Sequence, residues 1–178
     1  MHELYGYQIE GAQWLRDHTR AMLADEPGLG KTAQTIAALV TPALIVCPAV
    51  VKSVWESEIA KWRPKLRAQV LYSKDQPNFR LFDVVIVNYD ILPGQPTDWA
   101  GVRLGTLVAD EAHMLKSYKA KRTKSFRSLT RTADRVWLLT GTPMLGTPED
   151  LKGVLVSGGL FREAFFDAEG GSDYDNFV

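Results

Sequence analysis

"AMLADEPGLGKTAQTIAAL", residues 21–39, gives the strongest local signal in this chain of 178 residues. Its first residues form a short apolar run typical of a buried strand, and its second half has the apolar spacing of a helix. Gly28 and Gly30 lie between the two patterns, and Lys31 and Thr32 follow directly. A glycine-rich turn between a strand and a helix is typical of a loop that binds phosphate groups.

The loop departs from the strict phosphate-loop pattern at one position. Where that pattern has its first glycine, this chain has Asp25. The remaining residues still meet the physical requirements, because glycines let backbone N–H groups approach phosphate oxygens, Lys31 can reach the β and γ phosphates, and the Thr32 hydroxyl can ligate magnesium. The alternative is a glycine-rich turn that carries a solvated lysine.

Apolar strand-like runs alternate with helix-like segments along the rest of the chain. The strand-like runs are AMLA, ALIVCP, AQVLY, DVVIVNY, GTLVADEAH and RVWLLTGTP. The helix-like segments cover residues 5–18, 31–40, 53–62, 116–131 and 148–156. Near-continuous apolar strands separated by helices indicate a parallel sheet that is covered on both faces. The predicted fold class is therefore α/β.

Acidic residues follow one of these strands at the point where it ends. The run LVADEAH closes on Asp110 and Glu111, with His113 two residues further on. A carboxylate at a strand end can hold a metal ion through water, and its neighbour can orient and polarise an attacking water molecule. The alternatives are an acidic helix cap for the two acids and a packing role for His113.

The order of the loop and the acidic pair along the chain points to one class of enzyme. Ligands of parallel α/β sheets gather beyond the carboxyl ends of the strands, where both motifs are expected. A nucleotide loop on an early strand, followed roughly 80 residues later by a strand that ends in Asp-Glu, is the Walker A and Walker B arrangement of a phosphate-loop ATPase. Chance agreement of both motifs is improbable.

The composition favours one folded domain. The chain has 46% hydrophobic and 24% charged residues, and 21 basic and 21 acidic residues give it zero net charge. The single cysteine, Cys47, excludes an internal disulfide and is expected to be a small buried packing residue. No apolar run approaches the roughly 18 residues of a membrane span, and the amino terminus lacks a secretory-signal pattern. We therefore expect no membrane partner and a location in the cytoplasm or nucleoid.

Six motifs together resemble a known family. They are YGYQIEGAQWL, LADEPGLGKTAQTIA, ALIVCPAVVKSVWESEIAKW, VVIVNYDIL, VADEAHMLKS and WLLTGTP. Their order and wording resemble the amino-terminal RecA-like lobe of superfamily-two helicases, above all the Swi/Snf-type DNA translocases, which include chromatin remodellers and their bacterial and phage relatives. The resemblance covers residues 4–155. It implies a three-layer RecA-like fold and a DNA-dependent ATPase, and members of this family usually translocate on duplex DNA without separating its strands.

The resemblance also implies a site for ATP with magnesium. Gln8 would read the edge of the adenine base. The loop residues that would hold the triphosphate and magnesium are Gly28, Leu29, Gly30, Lys31 and Thr32. Pro27 departs from the family pattern, in which a flexible residue is usual, but proline pre-sets a turn and removes only one N–H donor, so we expect binding to survive.

Catalytic roles follow from the same resemblance. Asp110 would share the metal with Thr32, and Glu111 would act on the hydrolytic water. His113 and the turn at residues 140–142 would link the nucleotide state to the grip on DNA. A second departure, Lys116 followed by Ser117 where Lys-Asn is common, leaves one local contact unassigned.

Duplex DNA, contacted through its backbone, is the expected macromolecular partner. The resemblance assigns such contacts to the segments after Pro48 and around Asn88 and Tyr89. Residues 116–135 also carry eight lysines and arginines against one acid, Asp134, and such a run attracts phosphate groups in a salt-dependent way. The alternative for this run is a solvated helix face.

The resemblance also implies a second RecA-like lobe as a partner, because in this family ATP lies between two such lobes. We expect residues 1–156 to form the first lobe and residues 157–178 to be a tail or the start of an inter-lobe connection. The second lobe would lie on another chain or in another part of the protein. The competing hypotheses are a stand-alone regulatory module that binds nucleotide or DNA, and an unrelated phosphate-loop kinase or GTPase.

Overall fold

Six parallel strands form a single sheet in the computed structural model, which describes residues 3–73, 75–95, 101–142 and 147–161. The strands are β1 (Arg20–Leu23), β2 (Ala43–Cys47), β3 (Ala68–Val70), β4 (Val84–Asn88), β5 (Leu104–Asp110) and β6 (Ala133–Leu139). Their order across the sheet is β1-β6-β5-β2-β4-β3, and every neighbouring pair is parallel. The predicted α/β class with a parallel sheet is confirmed.

Helices cover both faces of this sheet and make the fold three-layered. They are α1 (Gly6–Asp17), α2 (Lys31–Ala38), α3 (Lys52–Trp62), α4 (Lys121–Leu129) and α5 (Pro148–Ser157). Successive strand residues point to opposite faces, so Ile45 packs in one hydrophobic cluster with α1, α2 and α3, while Leu44 and Val46 pack in the other with α4 and α5. Cys47 is fully buried in the first cluster, as expected.

The basic helix is shorter than the sequence indicates. It was expected from residue 116, but α4 begins at Lys121, and residues 116–120 are a non-helical segment with a turn at 118–120. Packing explains the difference, because a Cβ atom on Gly153 of α5 would collide with the Lys116 carbonyl group. Close approach to α5 holds this segment in a turn, and the Lys116 ammonium lies 3.3 Å from the Asp150 carboxylate.

The all-parallel topology brings the candidate motifs to one edge. The carboxyl ends of β1, β5 and β6 lie side by side, so the loop after β1, the acidic pair after β5 and the turn after β6 share this edge. The turns after β2 and β4 continue along it. No helix within the described ranges has the length and apolar character to cross a membrane.

Candidate nucleotide site

The loop between β1 and α2 depends on two glycines with left-handed backbone. Gly28 has φ +89° and Gly30, which precedes the first turn of α2, has φ +76°. Residues with side chains rarely adopt these angles, so the glycines allow the chain to turn sharply into the helix. Leu29 between them is 39% exposed. The N–H groups at the start of α2 therefore open onto the sheet edge, as an anion site requires.

Gln8 on α1 closes one side of this loop. Its side chain is only 6% exposed, its Oε1 accepts a hydrogen bond from the Tyr5 N–H at 3.0 Å, and its Nε2 donates to the Leu29 carbonyl oxygen at 3.4 Å. A Cβ atom on Gly30 would collide with the Gln8 amide nitrogen. Gln8 is therefore packed against the predicted phosphate loop rather than lying free on the helix surface.

The two glycines differ in surroundings, which predicts different costs of substitution. Gly30→Ala should lower the free energy of unfolding by about 2 kcal/mol, because an unfavourable left-handed conformation adds to a collision with Gln8. Gly28→Ala, with the same sign of φ but open space around it, should cost only about 1 kcal/mol. Urea unfolding of both variants measures the difference. If both variants lost the same free energy of unfolding, the Gln8 side chain would move aside without destabilising the fold.

Lys31 and Thr32 are the first residues of α2 and both are partly exposed. The Lys31 ammonium folds back into the loop, where it donates hydrogen bonds to the carbonyl oxygens of Asp25 at 2.6 Å and Glu26 at 3.0 Å. The charge is thus held over the concave side of the loop by backbone acceptors. This is the position from which an ammonium can contact a bound phosphate group.

Asp25, the residue that breaks the strict phosphate-loop pattern, has a structural partner. Its Oδ2 accepts a hydrogen bond from Gln34 Nε2 at 2.9 Å, and the same amide nitrogen lies 3.2 Å from the Leu29 carbonyl oxygen. Gln34 is 1% exposed. Asp25 and Gln34 therefore join the two ends of the loop by side-chain bonds. Gln34 was not among the predicted site residues, although its place on the first turn of α2, directly after the glycine loop, was a usable signal.

Asp110 ends β5 with both carboxylate oxygens fixed by hydrogen bonds. Oδ2 accepts from the indole Nε1 of Trp55 at 2.8 Å, and Oδ1 accepts from the backbone N–H of Glu111 at 3.0 Å. Burial raises the pKa of the Asp110 carboxyl above its ordinary value. The indole bond and the charge of Lys31 act against that rise, and the Glu111 carboxylate acts with it.

Glu111 has φ +51°, the left-handed region that residues with a side chain seldom occupy. Strain of this kind concentrates at functional positions. A short 3-10 turn, Ala112–Leu115, follows it, and the Nδ1 atom of His113 lies 3.2 Å from Glu111 Oε2. That nitrogen makes no hydrogen bond among the described residues, so the contact is ionic only when the imidazole is protonated.

The turn after β6 lies against the phosphate loop. The Thr140 N–H donates to the Leu23 carbonyl oxygen at 3.1 Å, and Thr142 N–H donates to Thr140 Oγ1 at 3.2 Å. A Cβ atom on Gly141 would lie 2.9 Å from Cγ of Pro27. The proline that departs from the family pattern is therefore the residue on which this turn packs. Pro143, the last residue of this motif, lies outside the described residues.

The available donor atoms fit magnesium. Thr32 and Asp110 would offer oxygen ligands, which this hard cation prefers, and magnesium takes most of its remaining ligands from water and phosphate. The described residues contain no cluster of three or more His, Cys, Asp or Glu side chains that could hold a metal alone. A cation would also relieve the cost of burying the Asp110 charge.

The turns after β2 and β4, to which the resemblance assigns DNA contacts, differ in exposure. Val50 in the short turn Ala49–Val51 is 85% exposed, whereas Asn88 and Tyr89 are 6% and 1% exposed. The Tyr89 hydroxyl donates to the Asp110 carbonyl oxygen at 2.8 Å, and burial raises the pKa of this hydroxyl well above its ordinary value. The Tyr89 ring therefore faces the protein interior rather than a ligand surface.

The five tryptophans of the chain differ in environment. Trp55 and Trp137 are buried, and Trp62 packs against the hydrophobic cluster. Trp14 is 40% exposed and, with Tyr7, lines a cleft of about 580 Å³ beside the phosphate loop. Trp99 lies outside the described residues. The cleft gives the loop an aromatic flank that the sequence analysis did not anticipate.

A family model and proteins from several organisms match most of this chain. A family model described as the SNF2-related domain matches residues 7–158. Transcription regulatory protein SNF2 of Saccharomyces cerevisiae is 33% identical over 175 residues, which cover 85% of this chain and 10% of that protein. The probable ATP-dependent DNA helicase CHR23 of Arabidopsis thaliana is 31% identical over 174 residues, which cover 86% of this chain and 16% of that protein.

Two solved structures also match this chain in both fold and sequence. The SWI2/SNF2 ATPase core of Sulfolobus solfataricus in complex with dsDNA matches with a TM-score of 0.79 and 32% identity, over 88% of this chain and 36% of that one. The same core described without DNA matches with a TM-score of 0.70 and 32% identity, over 81% of this chain and 32% of that one. This chain thus spans about a third of each matched structure and a smaller share of the matched proteins.

Proposed function

This chain belongs to the family of SNF2-related domains, and on that basis we propose that it is the ATP-binding lobe of a DNA-dependent ATPase that translocates on duplex DNA. The observation that supports this most directly is that residues 28–32 and Asp110 meet at one edge of the sheet. Backbone N–H groups, an ammonium group and oxygen ligands for magnesium are the groups that phosphoryl transfer requires.

The loop would bind the triphosphate and Gln8 the adenine. Lys31 would leave its carbonyl partners to contact the β and γ phosphates, while Thr32 and Asp110 would hold magnesium. When bound, magnesium neutralises charge on the phosphate oxygens and so eases attack on the γ phosphate.

Glu111 would act on the attacking water. Its left-handed backbone turns the chain directly after Asp110, so that the two adjacent acids serve different functions. A carboxylate that orients water raises the rate by positioning rather than by bond formation. His113, within 3.2 Å of the Glu111 carboxylate, would adjust the position of that carboxylate when the turn at residues 140–142 moves.

A second RecA-like lobe would complete the catalytic site. In phosphoryl-transfer enzymes an arginine supplied from outside the phosphate-binding lobe raises turnover by about a thousandfold or more. We therefore expect the described lobe to bind ATP with magnesium and to hydrolyse it slowly until a second lobe is added.

Nucleotide titrations and turnover measurements test the proposal together. Calorimetry should detect binding of magnesium-ATP in preference to magnesium-GTP, and duplex DNA should stimulate ATP turnover once a second RecA-like lobe is present. Strong preference for guanine would favour a GTPase instead. Nucleotide binding without any DNA-stimulated turnover in the two-lobe complex would favour a regulatory module.

Duplex DNA has a candidate basic surface on α4. The buried side of this helix is formed by Thr123, Phe126 and Leu129. Lys121 and Lys124, three positions apart on one face, are exposed and make no ion pair among the described residues. Lys116 is already paired with Asp150. The outer face of α4 therefore offers two unpaired positive charges to a phosphate backbone, and Lys119 and Arg131 are exposed on either side of the helix.

Removing these two charges should weaken DNA binding. The double variant Lys121→Ala/Lys124→Ala should bind duplex DNA less tightly, and the slope of log affinity against log salt should fall by about 1 for each lysine that contacts phosphate. The double variant Lys61→Ala/Lys65→Ala, which removes two exposed lysines elsewhere, is the control. Equal salt slopes in the two double variants would assign DNA binding to another surface.

We also propose a cytoplasmic, nucleoid-associated location, or the host cytoplasm if the chain comes from a phage. A DNA partner supports this location, as does a single buried cysteine that needs no oxidising compartment. Cell fractionation after nuclease treatment is the direct test. Release from the nucleoid fraction by nuclease is the expected result.

A further inference from the structure

Asp110 is held from three directions by groups that the proposed chemistry does not use directly. The Trp55 indole N–H binds carboxylate Oδ2 at 2.8 Å, and the Glu111 backbone N–H binds Oδ1 at 3.0 Å. The Tyr89 hydroxyl binds the Asp110 carbonyl oxygen at 2.8 Å. The Asp110 side chain is thus restrained by α3 and by the next residue, Glu111, and its backbone is restrained by the turn after β4.

The two aromatic partners are themselves rigid. Trp55 and Tyr89 are each 1% exposed, and they belong to the two hydrophobic clusters on opposite faces of the sheet. A side chain packed in this way cannot change rotamer without opening the core. The indole Nε1 and the hydroxyl oxygen that contact Asp110 are therefore held in place by the core.

This arrangement limits how Asp110 can face a ligand. An ionised carboxylate has about four lone-pair positions, and the two N–H groups use one on each oxygen. The remaining pairs are left in directions set by the indole ring and by the chain turn at Glu111. Without the indole bond, the carboxylate could rotate about its terminal torsion, which is broad for aspartate.

We propose that Trp55 is the positioning residue for the Asp110 carboxylate and that Tyr89 positions the backbone of Asp110, so that both set the affinity for the magnesium ion of the bound nucleotide. This inference rests on the proposed function for the presence of magnesium-ATP. Hydrogen-bond partners of metal ligands typically change metal affinity by about 10- to 100-fold when removed.

Trp55→Phe tests the positioning role because it keeps a buried aromatic ring and removes only the N–H donor and part of the indole. ATP affinity measured with magnesium should fall about tenfold, whereas ATP affinity measured in EDTA should stay within twofold of the parent. Tyr89→Phe should give a smaller loss in the same direction, since its hydroxyl acts on the backbone.

Trp137→Phe is the matched control. Trp137 is also buried, and its indole N–H donates to the His18 carbonyl oxygen at 3.0 Å rather than to a candidate metal ligand. It should lose stability in the same way as Trp55→Phe while keeping the parent's magnesium dependence. If ATP affinity depended on magnesium equally in the parent, in Trp55→Phe and in Trp137→Phe, the inference would be overturned.

A nucleotide-free measurement decides the case even if Trp55→Phe does not fold. In the full chain labelled with nitrogen-15, Asp110→Asn should shift the Trp55 indole N–H resonance upfield and speed its exchange with solvent, because a charged acceptor becomes neutral. The Trp137 indole resonance should not move. An unchanged Trp55 resonance would overturn the inference, whereas a parent that binds no nucleotide would instead contradict the proposed function.

Discussion

Lys31→Ala should weaken binding of magnesium-ATP by about 100-fold, because the variant loses the only ammonium of the phosphate loop and keeps the loop fold. A hydrogen bond from a charged group contributes about 1.5–3 kcal/mol, and 2.7 kcal/mol corresponds to 100-fold in affinity. In the structure this ammonium bonds only to two loop carbonyl oxygens, so its removal leaves no carboxylate unpaired. Isothermal titration calorimetry measures the change.

Lys65→Ala provides the control for that experiment. Lys65 is exposed in the turn after α3 and makes no side-chain hydrogen bond or ion pair among the described residues, so its removal should leave ATP affinity within twofold of the parent. Circular dichroism of both variants checks that the fold is intact. Unchanged ATP affinity in folded Lys31→Ala would refute the assignment of residues 28–32 as a phosphate loop.

Glu111→Gln should retain nucleotide binding and lower ATP turnover by about a thousandfold in the two-lobe complex. The substitution preserves size and removes the charge that would polarise the attacking water, and general-base contributions are typically 10²–10⁴-fold. The left-handed backbone at this position is unaffected, since neither side chain is branched at Cβ. Single-turnover measurements separate the loss of chemistry from any change in binding.

Glu56→Gln makes the same chemical change at an exposed position of α3. Its turnover should match the parent. If Glu111→Gln also matched the parent, the water would be oriented by another group, and the proposed division between Asp110 and Glu111 would be wrong.

The architecture was predictable because it depends on local patterns. Apolar runs such as ALIVC and VVIVN can only be buried between two helix layers, and the glycines at 28 and 30 mark a turn that few other residues permit. The parallel topology then brings the loop and Asp110 to one edge without further information. The fold class, the order of elements and the place of the acidic pair follow from these signals.

Contacts between distant side chains were not predictable in the same way. Burial of Trp55 fits its place in an amphipathic helix, but its bond to Asp110 depends on how α3 is rotated on the sheet. The partnership of Asp25 with Gln34 likewise depends on the conformation of the whole loop. The start of α4 was misplaced because the close approach of Gly153 to Lys116 links elements that are far apart in sequence.

The contact between Pro27 and Gly141 should couple the residues that relatives can carry at these two positions. A side chain at position 141 would need space that the proline ring occupies, so homologues with a larger residue at one position should carry a smaller or more flexible residue at the other. Sequence covariation between them would be the expected record of this reciprocal constraint. Transplanting either residue alone between relatives should therefore impair a protein that tolerates the paired exchange.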